Sequence, residues 1–234
     1  MEFMNDNPGH RQFRFTLPPG ATEILLVRHG ESAPARLDAP FPLVDGHGDP
    51  PLAPEGEREA ELVGARLAVE PIDALYVTTL RRTHQTAAPL AKRLNLTPAV
   101  EPDLREVLLG EWEGGLFRIR VAERHETAQR MWETQRWDAI PGAESTEALA
   151  DRVRAAIGRI AAAHPDGRVV AVTHGGVIGQ ITAMATGAEP FAFVDADNAS
   201  ITQLVVTEER WIIRRFNDTA HLHPSFTIRP EPLG

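Results

Sequence analysis

Two His-Gly pairs stand at the ends of apolar runs, far apart in this 234-residue chain. The first lies in Leu26-Val27-Arg28-His29-Gly30-Glu31-Ser32 and the second in Val172-Thr173-His174-Gly175-Gly176. An imidazole is partly neutral near pH 7 and offers a nitrogen nucleophile. Gly30 lets the backbone turn sharply and approach a ligand closely. Arg28 carries a planar fork of donors suited to phosphate oxygens. A second imidazole beside the first, once protonated, holds negative charge on a phosphoryl group. Taken singly, the first pair also reads as a turn after a strand with Arg28 in a surface ion pair, and a lone histidine in the second is more often structural. Taken together, they point to one site shared by two strand ends.

Two further segments supply what phosphoryl transfer would need. Leu80-Arg81-Arg82-Thr83-His84-Gln85-Thr86-Ala87 opens a helix, where backbone N–H groups and the helix dipole favour an anion. One of its two arginines can reach the site; a solvated helix start is expected for Arg81 and His84. A departing alkoxide also needs a proton, which a carboxylic acid can supply. Glu106, Glu111 and Glu113 compete for that role, against the plainer reading that all three are surface charges. Nine histidines invite a metal site, but no His-x-x-x-His or His-Glu-x-x-His pair occurs and cysteine is absent. Asp45, His47 and Asp49 alternate in a Gly-rich loop and are read as a solvated turn, so no metal or cofactor is expected.

These residues must be positioned by alternating strands and helices. Apolar runs predict buried strands at Glu23 to Arg28, Ala74 to Thr78 and Arg168 to Thr173, with a short one near Ala99 to Glu101. Helical patterns run from Pro54 to Val69, Arg82 to Leu94, Thr146 to Ala163 and Val177 to Thr186. Ser200 to Thr207 and Trp211 to Phe216 predict a closing hairpin, and Ser32 to Pro51 a loop. The order implies an α/β three-layer sandwich: a mainly parallel central sheet with helices on both faces. Ligands then bind beyond the carboxyl ends of the strands, where both His-Gly pairs sit. The charged stretch Phe117 to Trp137 reads as a helical insertion over the site. Phe117, Trp132 and Trp137 are expected in the core rather than lining a pocket. Arg118, Arg120, Arg124 and Arg130 are expected on a solvated face rather than meeting a second anionic group of a substrate.

The expected division is an N-terminal extension over 1–22, one domain over 23–222 with its insertion at about 117–140, and a tail over 223–234. The polar start has no apolar h-region, so it is not a secretory signal, and no apolar run is long enough to span a bilayer. With no cysteine, a cytoplasmic setting is expected. A net charge of −9 argues against nucleic-acid and membrane-surface partners. A small phosphorylated substrate needs only a few local cations. The apolar carboxyl-terminal hairpin offers an edge for a homodimer.

The first His-Gly segment resembles the signature of the histidine phosphatase superfamily, the phosphoglycerate mutase-like group (branch 1). The resemblance runs from about Glu23 to Leu222. Leu52-Ala53-Pro54-Glu55-Gly56 looks like the family's Leu-Thr-x-x-Gly. Thr79 to Ala87 is similar to Ser-Pro-Leu-x-Arg-Ala-x-Gln-Thr-Ala and selects Arg82 over Arg81. Leu104-Arg105-Glu106 with Gly110 and Trp112-Glu113-Gly114 selects Glu106 as the acid. Pro141-Gly142-Ala143-Glu144-Ser145, the second His-Gly motif, Asn198 to Ile201 and Asn217 to Leu222 look like further family features. The resemblance implies a metal-independent phosphomonoesterase. His29 would attack phosphorus and form a phosphohistidine, and His174, Arg28 and Arg82 would hold the phosphoryl oxygens. Glu106 would serve as general acid and then base. Gly175 and Ser32 join as candidate phosphate contacts. A Trp-Asn pair usual after Arg-His-Gly-Glu and the next loop's Arg-x-x-Gly are missing, which removes a familiar phosphate-binding amide; Ser32 or His47 is the candidate replacement. Those losses disfavour a mutase. A catalytically weak phospho-ligand binding module is the other alternative, disfavoured because a binder has no need of the acid.

Overall fold

The computed structural model describes residues 12–223. In chain order its elements are β1 (Thr22–Arg28), β2 (Leu43–Val44), β3 (His47–Gly48), α1 (Pro54–Leu67), β4 (Ala74–Val77), α2 (Arg81–Leu94) and β5 (Ala99–Val100). There follow α3 (Leu116–Ala122), α4 (Glu126–Thr134), α5 (Thr146–Ala163), β6 (Arg168–Thr173), α6 (Gly175–Thr186), β7 (Ile201–Val206) and β8 (Trp211–Asp218). Six strands form one mixed sheet in the order β5-β4-β6-β1-β7-β8. β5, β4, β6 and β1 run parallel, whereas β7 and β8 pair antiparallel. The expected α/β architecture is borne out.

The period of two in the strands divides the core between the two faces. Ile24 and Leu26 of β1, with Val169 and Ala171 of β6, face the side covered by α5 and α6. Leu25, Val27, Val170 and Val172 face the side covered by α1 and α2. A central strand buried on both faces therefore reads as an unbroken apolar run. The insertion is two helices, separated at Arg124, which has a left-handed φ of 54°, and capped by His125, whose ring accepts a hydrogen bond from the Thr127 N–H. Its apolar side joins the core through Ala128, Met131 and Trp137, as expected for Trp137; Phe117 packs against that cluster, while Trp132 stays partly exposed.

Where the structure departs from the sequence reading, local contacts explain it. The Ser32–Pro51 loop contains the small hairpin β2-β3. His47 and Asp49 are buried there, not solvated. Asp49 is held by α2: its carboxylate accepts from the Arg81 N–H at 2.8 Å and from Arg81 Nε at 2.9 Å. Arg81 stays exposed at the helix start, as expected, and is paired there with Asp49. His84 is exposed, as expected, with its Nε2 2.8 Å from the Thr78 carbonyl. Helix α6 starts at Gly175, two residues before the expected Val177. Thr22 is already part of β1, and most of the tail lies outside the described residues. Among the described residues no helix is long and apolar enough to cross a membrane.

Candidate active site

Strand register brings the two histidines together. β1 and β6 are parallel neighbours with Arg28 opposite Thr173, so His29 and His174 each leave the sheet one residue later at the same level. The His29 N–H completes the ladder by donating to the Thr173 carbonyl at 3.0 Å. The chain then departs on opposite faces, toward α1 after β1 and into α6 after β6, which opens a crevice between the two strand ends. The imidazole centroids are 5.2 Å apart, edge to face.

Each ring is held by a defined partner. His29 Nδ1 lies 2.7 Å from the Gly30 carbonyl, which can only accept, so Nδ1 carries the proton. In the neutral ring the lone pair is therefore on Nε2. Asn198 Nδ2 donates to the His29 carbonyl at 2.8 Å, and Thr86 Oγ1 accepts from the Gly30 N–H at 3.0 Å. A Cβ on Gly30 would stand 2.5 Å from the Gly56 carbonyl, so this turn is locked against the first turn of α1. His174 is fully buried; its Nε2 lies 3.0 Å from Thr78 Oγ1, while Nδ1 has no hydrogen-bond partner.

Two guanidiniums flank the rings. Arg28 Nη1 donates to the Ala196 carbonyl at 2.5 Å, and its buried Nε is unpartnered. Arg82, at the start of α2, donates from Nη1 to the Gly48 carbonyl at 2.9 Å. Burial lowers both; Arg82 falls to about 10 and still keeps its charge at neutral pH. Burial, then the Arg82 charge, pushes both histidines well below their ordinary 6.5; Arg28 adds to this at His29. Both rings are neutral at pH 7 in this unliganded cluster, which leaves the His29 Nε2 lone pair free.

The three competing glutamates separate on geometry. Glu111 is exposed. Glu113 is a structural bridge: its two oxygens accept from the Gly48 N–H at 2.7 Å and the Leu109 N–H at 2.8 Å. Glu106 is the one at the crevice, half-buried, with Oε1 taking the Val107 N–H at 3.0 Å and Oε2 near the Gly176 N–H at 3.4 Å. Leu104 and Val107, both 1% exposed, anchor the backbone on either side.

That anchor has a part the sequence reading missed. Arg152 of α5 pairs with Glu144 through Nε at 2.7 Å and Nη2 at 2.8 Å. The same guanidinium caps the carbonyls of Asp103, Arg105 and Glu106 at 2.6, 2.8 and 3.0 Å. The Pro-Gly-Ala-Glu-Ser segment was noted without a role; its Glu144 and an arginine eight residues later were the available signal.

The remaining candidates lie close by. Gly175 is the first residue of α6, and a Cβ there would stand 3.4 Å from Arg28 Nε. Ser32 is buried, and its hydroxyl accepts from Arg118 Nη2 at 2.5 Å. Arg118 is thus partly buried at the rim, not on the solvated face where it was expected. Arg120 does lie on the surface, paired with Glu123 at 2.9 Å. His47 Nε2 is buried and unpartnered in β3, next to the Gly48 carbonyl that holds Arg82. Among the described residues no three His, Cys, Asp or Glu side chains gather as a metal ion would require.

The model of the histidine phosphatase superfamily (branch 1) matches residues 24–219. A metal-independent phosphoserine phosphatase of Arabidopsis thaliana is 33% identical over 208 residues, covering 86% of this chain and 83% of its own. A probable phosphoglycerate mutase of Yersinia enterocolitica is 29% identical over 207 residues, covering 86% of this chain and 94% of its own. The structure of a mycobacterial glucosyl-3-phosphoglycerate phosphatase superposes with a TM-score of 0.70 at 25% identity, covering 85% of this chain and 100% of that one.

Proposed function

This chain belongs to the histidine phosphatase superfamily (branch 1), and on that premise we propose that it hydrolyses phosphate monoesters through a phosphohistidine on His29. The observation that carries the reading is the state of that ring. Its Nδ1–H is spent on the Gly30 carbonyl, and its Nε2 is free in a neutral imidazole between two buried guanidiniums.

In the proposed cycle the phosphoryl dianion sits against Arg28 and Arg82, with the amino end of α6 adding its dipole. Nε2 of His29 forms a bond to phosphorus as the bond to the ester oxygen breaks. Glu106, in its acid form, gives its proton to that oxygen, and the alcohol leaves. Negative charge on the transferring group is met by the guanidiniums and by His174, whose Nδ1 has no protein acceptor; donation from the Thr78 hydroxyl to Nε2 leaves the ring proton on Nδ1. Glu106, now a carboxylate, takes a proton from water as the water oxygen attacks phosphorus and the His29 bond breaks. Phosphate departs, and Glu106 is again the acid. Positioning and preorganised charge supply most of the acceleration. A domain over about 23–222 would hold all these groups, and the cysteine-free composition fits a cytoplasmic setting.

Leaving-group dependence tests the reading. His29→Ala should lose at least about a thousandfold in kcat on p-nitrophenyl phosphate. Glu106→Gln should lose roughly a hundredfold or more on alkyl phosphates and far less on p-nitrophenyl phosphate, whose alcohol needs little protonation. A normal rate in His29→Ala, or equal losses for both substrate types in Glu106→Gln, would contradict it. The match to a probable phosphoglycerate mutase favours one second reading, return of the phosphoryl group to an acceptor alcohol. Transfer to added glycerate that outpaces release of phosphate would select it.

A further inference from the structure

Along β1 the backbone is held by neighbouring strands: the Arg28 N–H donates to the Ser200 carbonyl at 3.2 Å and the His29 N–H to the Thr173 carbonyl at 3.0 Å. Beyond His29 the ladder ends, yet the two peptides that flank Gly30 are still pinned. The first is held at both ends by side chains. Its carbonyl, that of His29, accepts from Asn198 Nδ2 at 2.8 Å, and its N–H, that of Gly30, donates to Thr86 Oγ1 at 3.0 Å. The Thr86 hydroxyl proton goes to the Arg82 carbonyl at 2.7 Å, which leaves an oxygen lone pair for Gly30. The second peptide joins Gly30 to Glu31. Its carbonyl accepts from His29 Nδ1 at 2.7 Å, and its N–H donates to Glu59 Oε2 at 2.7 Å.

Glu59 reaches that N–H because of where α1 lies. A Cβ on Gly56 would stand 2.7 Å from the Glu31 nitrogen, so the first turn of α1 rests directly on this loop. Glu59 follows Gly56 by three residues, on the same face of the helix. Its half-buried carboxylate falls on the Glu31 N–H. A trans peptide is planar, with its N–H and C=O pointing opposite ways. Holding the N–H on Glu59 therefore aims the Gly30 carbonyl to the other side, where His29 Nδ1 lies. Without that hold the peptide is free to turn, because the glycine before it has a soft backbone. The imidazole then loses its fixed acceptor, and its proton is shared between Nδ1 and Nε2. We infer that Glu59 is a positioning residue: by holding the Glu31 N–H it aims the Gly30 carbonyl at His29 and so keeps the nucleophilic lone pair on Nε2. This rests on the proposed phosphatase activity and deepens it. The Glu59 charge also acts on Arg28, as do those of Glu106, Asp197 and Asp195. A counter-ion works through its charge, a positioning residue through its acceptor oxygen, and glutamine tells the two apart.

The test pairs turnover of p-nitrophenyl phosphate with nitrogen NMR of ring-labelled histidine in the resting, full-length protein. Wild-type His29 should show its proton on Nδ1. In Glu59→Leu the two tautomers should mix, and kcat should fall about tenfold or more while KM stays within about twofold. Glu59→Ala should behave as Glu59→Leu does, without the added apolar bulk. Glu59→Gln, whose amide oxygen still accepts, should recover most of the loss and return the proton to Nδ1. An unchanged kcat in Glu59→Leu and Glu59→Ala overturns the assignment. So does Glu59→Gln as slow as Glu59→Leu, which would make Glu59 a counter-ion of Arg28. So does a fall in kcat with the His29 proton still wholly on Nδ1, the mark of a merely structural residue. The ring spectra do not depend on turnover. A wild-type enzyme inert toward p-nitrophenyl phosphate, with the tautomer nonetheless shifting in Glu59→Leu, supports the hold and removes the hydrolytic reading beneath it.

Discussion

A histidine becomes a directed nucleophile when one nitrogen is spent and the other is kept free. In this chain the Gly30 carbonyl spends Nδ1 of His29, and burial beside two guanidiniums keeps the ring neutral. The acid is positioned less directly, through its backbone, by the Arg152 guanidinium on the carbonyls of Asp103, Arg105 and Glu106 and on Glu144. Arg152 and Glu144 side chains are both 13% exposed, so removing one partner strands the other with little water. Arg152→Met should therefore cost about 3 kcal/mol of stability, read as a lower midpoint in urea. It should also slow alkyl phosphates more than p-nitrophenyl phosphate, because Glu106 loses its backbone clamp. The double variant Arg152→Met/Glu144→Met should be less destabilised than the single one. Arg152→Met with unchanged midpoint and unchanged leaving-group dependence would show that the clamp is idle.

At the level of elements, the site is a product of register. Parallel pairing of β1 with β6 sets Arg28 against Thr173 and delivers both imidazoles to the same height. The second glycine of helix α6 stands where Glu106 and Val107 press on its first turn. A Cβ on Gly176 would stand 2.7 Å from Glu106 Oε1 and 2.8 Å from Val107 Cγ2. Gly176→Ala should leave the fold in place and displace the carboxyl, lowering kcat on alkyl phosphates by about tenfold or more. An unchanged kcat would mean that the carboxyl lies elsewhere in the working enzyme. These elements were largely legible in the sequence. Buried parallel strands are unbroken apolar runs, and α5 and β6 fall where periodicity predicts. The hairpin β2-β3 was not legible, because a four-residue pairing held by Asp49 and Arg81 leaves no periodic trace. Arg118 and Arg152 escaped for a related reason: each sits on a helix among other charges, and only tertiary contacts separate it from its solvated neighbours.

At the scale of the whole molecule, the buried neutral histidines tie stability to pH. The folded protein holds His29 and His174 at proton affinities well below the ordinary 6.5, chiefly through burial. Below about pH 6.5 the unfolded chain binds protons that the folded chain refuses, so stability falls with falling pH. It is fully present above 6.5 and is lost toward the lower folded values. Each group costs up to about 1.4 kcal/mol per pH unit in that window. Thermal melts from pH 7 to 5.5 should show the midpoint falling, with a shallower slope in His29→Asn/His174→Asn. Equal slopes would mean that other groups set the dependence.

The central claim is covalent, and rapid quench of the enzyme turning over a phosphorus-labelled monoester tests it most directly. The account predicts protein-bound label that survives alkali, is lost in acid and is absent from His29→Ala, with peptide mapping assigning it to His29. Label that is stable in acid and released by alkali, or that persists in His29→Ala, would contradict it.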